Sequence, residues 1–459
     1  MHGFHRLGGL CRWFGGVPSP ERAAFRAITF FSVWSAADEL HGEVTSWGPN
    51  GDTTEMTATV RIDGAPYRIM GAASGSDQWQ TRFKSDAPGS DLPGMPLILK
   101  DGTWQDCQAL CEPNAECAGW AFGVPRCGGD PPEAQCWLKS SVPSQGVPNE
   151  CRDYGIRPTP RGTPTNSTAQ QLLVDVLPTR TVYAFRAGPV ALNITFTTPF
   201  VPGKDGAEAW SRDASTLEAT AASADGKQHR VELYFDATGD LVTASAAAPL
   251  EYGQYDQTPG VARSVWLKPA LPQTFDAMQS QDRVTFARLV LAASAQWTTG
   301  VGEAQQLRRR FVASGAPPPG ISVNASGAST PGSDNPVLWA AAVVDVPASG
   351  DGAKVGGGPV AVAMSFDPTF LFFGRPLRPH WTTLYDTPQD MAEAVVTNHP
   401  AVSALCAAYD ANVTSQLQAA GGDDYRLVGS LAYRQSWAST TPVFDAASGE
   451  RWVMLKEIS

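Results

Sequence analysis

Runs in which apolar and polar residues alternate fill most of the chain, and Gly, Pro, Asn and Asp repeatedly interrupt them. Side chains of a strand point to opposite faces at every second residue, so this alternation predicts half-buried β-strands joined by turns. Between about Arg22 and Gly71 the runs are "AFRAITFFSVWS" and "EMTATVRIDGAPYRIMG", and Asp63-Gly64 in the second predicts a hairpin turn. Further on, "RTVYAFRAG" and "VALNITFTTPF" flank a Gly-Pro turn. In "STLEATAASADGKQHRVELYFDATGD" a turn at Asp225-Gly226 separates two runs. Val231, Leu233 and Phe235 there alternate with Glu232, Tyr234 and Asp236, as a half-buried strand requires. "DRVTFARLVLAASAQW", "VLWAAAVVDV" and "GPVAVAMSF" add more strands. The pattern predicts a mainly β chain folded as a β-sandwich of packed antiparallel sheets.

Near Thr387 the period changes from two to between three and four. Val402, Leu405, Cys406, Tyr409, Val413 and Leu417 form one helical stripe, with Pro400 beginning or kinking the segment and Gly421-Gly422 ending it. "DDYRLVGSLAYRQSWAS" predicts a second helix that Asp423 or Asp424 caps. "TPVFD" and "RWVMLKE" around "AASGE" predict a β-hairpin. Two helices and one hairpin do not bury those apolar faces alone, so they read as the start of a helical domain.

The cysteines divide the chain further. Of the eight, Cys107, Cys111, Cys117, Cys127, Cys136 and Cys151 crowd into one Gly/Pro-rich segment, with Cys11 and Cys406 outside it. That density reads as a disulfide-stapled module from an oxidising compartment. Zinc is the rival reading, from the spacing of Cys107 and Cys111, although no second close pair and no His follow in the segment. The resulting domain scheme is a leader at 1–20, a first part of the sandwich at 21–91 and a disulfide-rich insertion at 92–156. The central sandwich follows at 157–375 and the helical start at 376–459.

Composition narrows the partners. A formal charge of -11 without a basic cluster to offset it argues against nucleic acid and anionic membranes. The densest basic run, Arg308-Arg309-Arg310, reads as the solvated face of a short helix. No apolar run approaches the roughly 18 residues of a membrane span. The first twenty residues lack the apolar core and cleavage site of a signal peptide. Sequons at Asn166, Asn193, Asn324 and Asn412 nevertheless suit a secreted glycoprotein, as the cysteines do.

Chemistry is sparse. G-x-S-x-G, H-E-x-x-H, Walker A and EF-hand patterns are absent, and no metal or cofactor site is argued from the residues. "GGGPVA" at Gly356 precedes a strand and reads as a turn, His229 as structural, and "RPLRPHW" around His380 as a joining segment. The strongest clusters are "LAYRQ", with Tyr433, Arg434 and Gln435, and "LKEIS", with Lys456 and Glu457. A carboxylate beside an Arg and a Tyr suits a general base or a substrate clamp. The alternative is an interhelical salt bridge with polar caps.

"GGDDYRLVGSLAYRQSWAST" followed by "LKEIS" resembles the glutaminase A family, with its Y-x-x-L-x-x-L-A-Y-R-Q helix and K-E-I-S-S-x-G signature. "SVWSAADEL", "VRIDGAPYRIMG", "VLPTRTVYAFRAG", "ITFTTPFVP", "WSRDAS" and "DGKQHRVELYFD" resemble that family's β domains in the same order. The resemblance implies a β-sandwich followed by an (α/α)6 toroid of which this chain holds only the first helices. It also implies hydrolysis of L-glutamine to L-glutamate and ammonia. Glu457 would serve as base or orienting carboxylate, with Arg434 and Tyr433 holding it or the substrate. With later helices missing, the chain by itself is expected to be inactive. "DCQALCEPNAECAGWAF…CWLKSS" resembles a PAN/apple module, which implies pairs Cys107–Cys136, Cys111–Cys117 and Cys127–Cys151 and a protein or carbohydrate ligand. Two other readings stay open: a non-enzymatic extracellular binding protein that uses this insert, and a six-hairpin glycosidase with paired carboxylates.

Overall fold

The computed structural model describes residues 44–45, 53–54, 56–69, 79–157, 165–203, 213–242, 249–270, 287–315, 327–328, 336–366 and 370–455. Within these stretches it omits 101, 115–116, 118, 129–130, 140–141, 143–146, 166, 373–374 and 439. The run "AFRAITFFSVWS", Cys11 and Lys456 to Ser459 lie outside the described residues. The chain forms two compact units, one of them Ser74–Arg161 with Gly332–Asp334 and the other made of the remainder.

The larger unit has the predicted mainly β, sandwich-like architecture. Its first sheet has ten strands. Gln170–Val176, Arg180–Ala187, Val190–Thr197 and Ala214–Ser223 lie side by side, then Val360–Phe366, Ala287–Ala293, Val265–Pro269 and Leu250–Gln254, all antiparallel. The second orders Thr298–Glu303, Pro336–Val346, His229–Thr238, Met56–Ile62 and Ala65–Arg68. Their facing sides share one core, in which Leu192, Ile194, Phe196, Leu289 and Val362 meet Val60, Leu233, Phe235 and Leu338. Fully burying each such side chain contributes roughly 1.5–3 kcal/mol, which makes this core the main source of stability.

Local chemistry sets the turns. Asp63 and Gly64 take φ of 51° and 88°, the left-handed pair that a two-residue hairpin turn needs. Gly188, at φ 54°, closes the hairpin of Arg180–Ala187 with Val190–Thr197. The turn at Asp225-Gly226 behaves differently, because its flanking strands do not pair. Ala214–Ser223 belongs to the ten-stranded sheet and His229–Thr238 to the five-stranded one, so this turn is an arch that carries the chain across the sandwich. The "GGGPVA" run is a turn before Val360–Phe366, with Gly356 at φ 63°. A Cβ there would lie 2.0 Å from the Trp297 indole nitrogen, which donates to Gly358 O at 3.0 Å.

His229–Thr238 is buried on both faces rather than one, because the helix Ala304–Ser314 covers its outer side. Tyr234, Leu307, Phe311 and Trp339 form the core beneath that helix. The polar residues of the strand are consequently paired: Glu232 with Arg61 at 2.6 Å, and Asp236 with Arg308. Arg308 therefore does not belong to a solvated basic face. It is 1% exposed and grips Asp236 through Nε at 2.8 Å and Nη2 at 2.7 Å, while Arg309 and Arg310 remain exposed.

The smaller unit has its own core and staples. Five strands run in the order Gln80–Arg82, Arg152–Ile156, Gly119–Gly123, Ala134–Lys139 and Leu97–Leu99. The helix Trp104–Cys111 packs over them through Cys107 and Cys111, and its Trp104 stacks on Trp120 of the sheet at 5.7 Å. Disulfides join Cys107 to Cys136, Cys111 to Cys117 and Cys127 to Cys151, the three pairs set out above. The unit begins before residue 92 because Gln80–Arg82 pairs with Arg152–Ile156.

Beyond the sandwich strands the helical segment begins. Thr387 caps the helix Pro388–Thr397 by accepting from the Asp390 N–H, with Pro388 in the first turn where its missing donor is harmless. Met391, Ala392, Val395 and Val396 press onto Val290, Ala292, Ala361 and Ala363 on the outer face of the large sheet. The helix His399–Ala438 is broken at Gly422, whose φ is 78°. Its arms, 399–421 and 423–438, fold back antiparallel. Tyr409 and Tyr433 meet with ring centroids 5.6 Å apart, and a Cβ on Gly429 would lie 2.6 Å from Leu417. Thr440–Asp445 and Arg451–Leu455 form the hairpin read from the sequence, in one sheet with Phe370–Phe372 and Arg375–Pro379. That sheet starts the "RPLRPHW" segment, and His380 and Trp381 follow it into burial.

Candidate functional site

The turn between Gln170–Val176 and Arg180–Ala187 enters the helical hairpin and touches both arms. A backbone hydrogen bond from Leu177 N–H to Arg180 O, 2.8 Å long, closes the turn. On the first arm, Asp410 is 1% exposed and accepts from the Thr179 N–H, the Thr179 hydroxyl and Arg180 Nε, each at 2.8 Å. Burial pushes this carboxyl above its usual range, against the opposing pull of Arg180 and Thr179. One turn earlier lies Cys406, a free and fully buried thiol that burial pushes up to about 12.

The second arm carries the residues singled out in the sequence. The Tyr433 hydroxyl donates to Phe200 O, and its ring sits between Tyr409 and Trp437, which in turn stacks on Phe200 at 6.0 Å. Burial and the neighbouring Tyr409 raise the phenol pKa further, so Tyr433 stays protonated and remains a donor. Arg434 is 3% exposed and gives Nη1 to Leu177 O at 3.2 Å. Nearer the break, Arg426 meets Asp175 at 3.0 Å. The structure thus brings Tyr433 and Arg434 together on the face docked to the sandwich, where backbone carbonyls take up both polar heads. Lys456 and Glu457 lie outside the described residues.

At the start of the first arm, His399 Nδ1 lies 3.4 Å from the Thr216 hydroxyl and its Nε2 lies 3.5 Å from Glu218. Glu218 also holds Lys354 at 2.5 Å. His399 first, then Lys354, draws the Glu218 carboxyl down to about 2 against the effect of burial. The line Thr–His–Glu has the order of a nucleophile, base and orienting group. However, Thr216 is 3% exposed, and a hydroxyl shut away from substrate cannot attack one. The cluster serves as a docking contact. Asp410 escaped the sequence reading, although its place one helical turn after Cys406 on the apolar stripe marks a carboxylate that burial forces to find partners.

Among the described residues no group of three or more His, Cys, Asp or Glu side chains is placed to hold a metal ion. No helix among them is long and apolar enough to cross a membrane. Of the four sequons, Asn193 and Asn412 are exposed, while Asn166 and Asn324 lie outside the described residues.

Residues 179–416, just over half of the chain, match the family model described as a domain of unknown function, DUF5127. Residues 85–139, inside the disulfide-stapled unit, match the PAN domain. No curated protein matches the chain.

Proposed function

The chain belongs to the DUF5127 family and carries a PAN domain, and from that premise we propose that it is a secreted amidohydrolase of the glutaminase A type. The disulfides and the PAN domain fit an extracellular protein. The observation that carries the activity is the placement of one motif and the route toward the other. Tyr433 and Arg434 of "LAYRQ" lock a helical arm onto the sandwich, and the strand Arg451–Leu455 then leads directly into "LKEIS". In this reading the helical hairpin is one pair of an (α/α)6 toroid. Hydrolysis of the glutamine side-chain amide needs a base to take a proton from water, donors for the oxyanion and a proton for departing ammonia. Glu457 is the proposed base or orienting carboxylate. Tyr433 and Arg434 act as positioning residues, since their polar heads are engaged with Phe200 and Leu177.

The test is glutamate and ammonia release by the protein purified in its natural length from the cells that make it. Glu457→Gln is expected to lower turnover by roughly 10²–10⁴-fold, the usual contribution of a general base. Unchanged turnover would remove Glu457 from the reaction, and no glutamine hydrolysis by the unaltered protein would remove the activity itself. A second reading rests on the stapled unit, whose separate core and disulfides suit an independent binding module. Capture of a defined glycan or matrix protein by an enzymatically silent protein, abolished by reducing the disulfides, would favour it. Secretion predicts glycans on Asn193 and Asn412. Peptide mass spectrometry after N-glycosidase treatment should show both converted to Asp, and unmodified peptides from secreted material would count against that route.

A further inference from the structure

A carboxylate of the inter-sheet arch and a carboxylate of the edge-hairpin turn meet at one imidazole. His229 opens the strand His229–Thr238, and its side chain is 6% exposed. Its Nδ1 lies 2.7 Å from Asp63 Oδ2, in the turn of the hairpin Met56–Ile62 with Ala65–Arg68. Its Nε2 lies 2.8 Å from Asp225 Oδ1, in the arch between the two sheets. Both partners are carboxylates, which only accept when ionised. A neutral imidazole has one N–H and one lone pair, so it satisfies one of these contacts and turns a lone pair on the other. The doubly protonated ring satisfies both.

We propose that His229 is a proton-operated latch: protonated, it bridges the Asp225 carboxylate of the inter-sheet arch to the Asp63 carboxylate of the edge-hairpin turn, and on losing a proton it releases one of the two carboxylates. Other groups shape the site without replacing the latch. Asp63 also accepts the Arg230 N–H at 2.9 Å, and Asp225 accepts the Lys227 N–H at 2.9 Å and the Ser223 hydroxyl at 3.3 Å. The bonds to Asp225 fix that carboxylate within the arch, whereas Arg230 belongs to the strand His229–Thr238 and its carbonyl also accepts the Asp63 N–H at 3.0 Å, so the hairpin turn stays paired with that strand whatever the charge on the ring. On the hairpin, Arg61 is committed to Glu232, which Arg230 approaches at 3.8 Å. On the neighbouring strand Asp345 stands in register with Arg230, while Val346, apolar, stands opposite His229. The carboxylates of Asp63 and Asp225 are thus the acidic groups bonded to the ring.

The direction of the pH response follows. The two carboxylates raise the His229 pKa above its ordinary 6.5, and the ring lowers both of theirs below 3.8. A raised histidine contributes stability that is complete below 6.5 and is lost as pH rises through the folded value. The depressed carboxylates contribute above 3.8 and are lost as pH falls through their folded values. The latch is therefore closed in mildly acidic solution and opens toward alkaline pH.

Selective ¹⁵N-histidine labelling of the whole chain reads the ring directly, with His229→Gln assigning its signals among the six histidines. At about pH 6.5 both ring nitrogens should carry protons, and the titration midpoint should lie above 6.5. Asp225→Asn should move that midpoint back down. The melting-temperature gap between the unaltered protein and His229→Gln should shrink as pH rises from about 6 to about 9. A single-protonated ring at about pH 6.5, or a gap that does not change with pH, overturns the proposal. Should His229→Gln fail to fold, the Asp225→Asn midpoint shift still decides it.

Discussion

The charge of Arg308 is taken out of water completely. A buried guanidinium is tolerable only with a partner of matched geometry, and Asp236 supplies two parallel acceptors. Arg308→Ala leaves Asp236 buried and uncompensated, so denaturant unfolding should show a loss of about 3–5 kcal/mol. Arg309→Ala and Arg310→Ala, on the exposed side, should stay within about 0.5 kcal/mol. Gly315 makes a related demand. It ends the helix Ala304–Ser314 at φ 74°, and a Cβ there would fall 1.7 Å from Arg61 Nη1 and 2.4 Å from Glu232. Gly315→Ala should therefore destabilise by more than the roughly 1 kcal/mol typical of a conformational change alone, and calorimetry would measure it. Glu218, held down at about 2, contributes stability that is present above its ordinary 4.5 and is lost as pH falls toward 2. Glu218→Gln should flatten that acid limb of a pH–stability curve.

Among the elements, the broken helix depends on one residue. Gly422 adopts φ 78° where the arms reverse, a conformation that side chains rarely accept. Substituting Ala there should weaken the reversal, and amide exchange in 423–438 should accelerate while the sheet interior stays protected. Contacts to the turn at 177–180 should fail with it, because Asp410 and Arg434 reach that turn from opposite arms. Tyr433→Phe removes the hydroxyl that donates to Phe200 O, and should cost about 0.5–1.5 kcal/mol with the aromatic packing kept.

In the molecule as a whole, two units with separate cores imply two separable transitions. Each disulfide contributes typically about 2–4 kcal/mol by restricting the unfolded chain, and all three lie in Ser74–Arg161. Reductant should lower the melting transition of that unit and leave the sandwich transition in place, as scanning calorimetry would show. A single transition that moves as one under reductant would mean the units unfold together.

Features set by neighbours a few residues apart were legible in the chain. Alternation marked the strands, Asp63-Gly64 and Gly188 marked the hairpins, and the stripe from Val402 to Leu417 with its Gly-Gly stop marked the helical reversal. The resemblance to PAN modules likewise led to the three disulfide pairs. Tertiary structure alone decided what depends on contacts across long sequence separations. Whether Asp225-Gly226 closes a hairpin or arches between sheets depends on which strands pair, and the turn chemistry is the same in either case. Whether Arg308 meets water or Asp236 depends on a helix covering a strand that precedes it by 72 positions. Tyr433 and Arg434 were legible as a motif, but their partners Phe200 and Leu177 are more than two hundred residues away. Periodicity reports which face of an element is apolar. It does not report what the fold lays over the other face, and burial of charge is settled there.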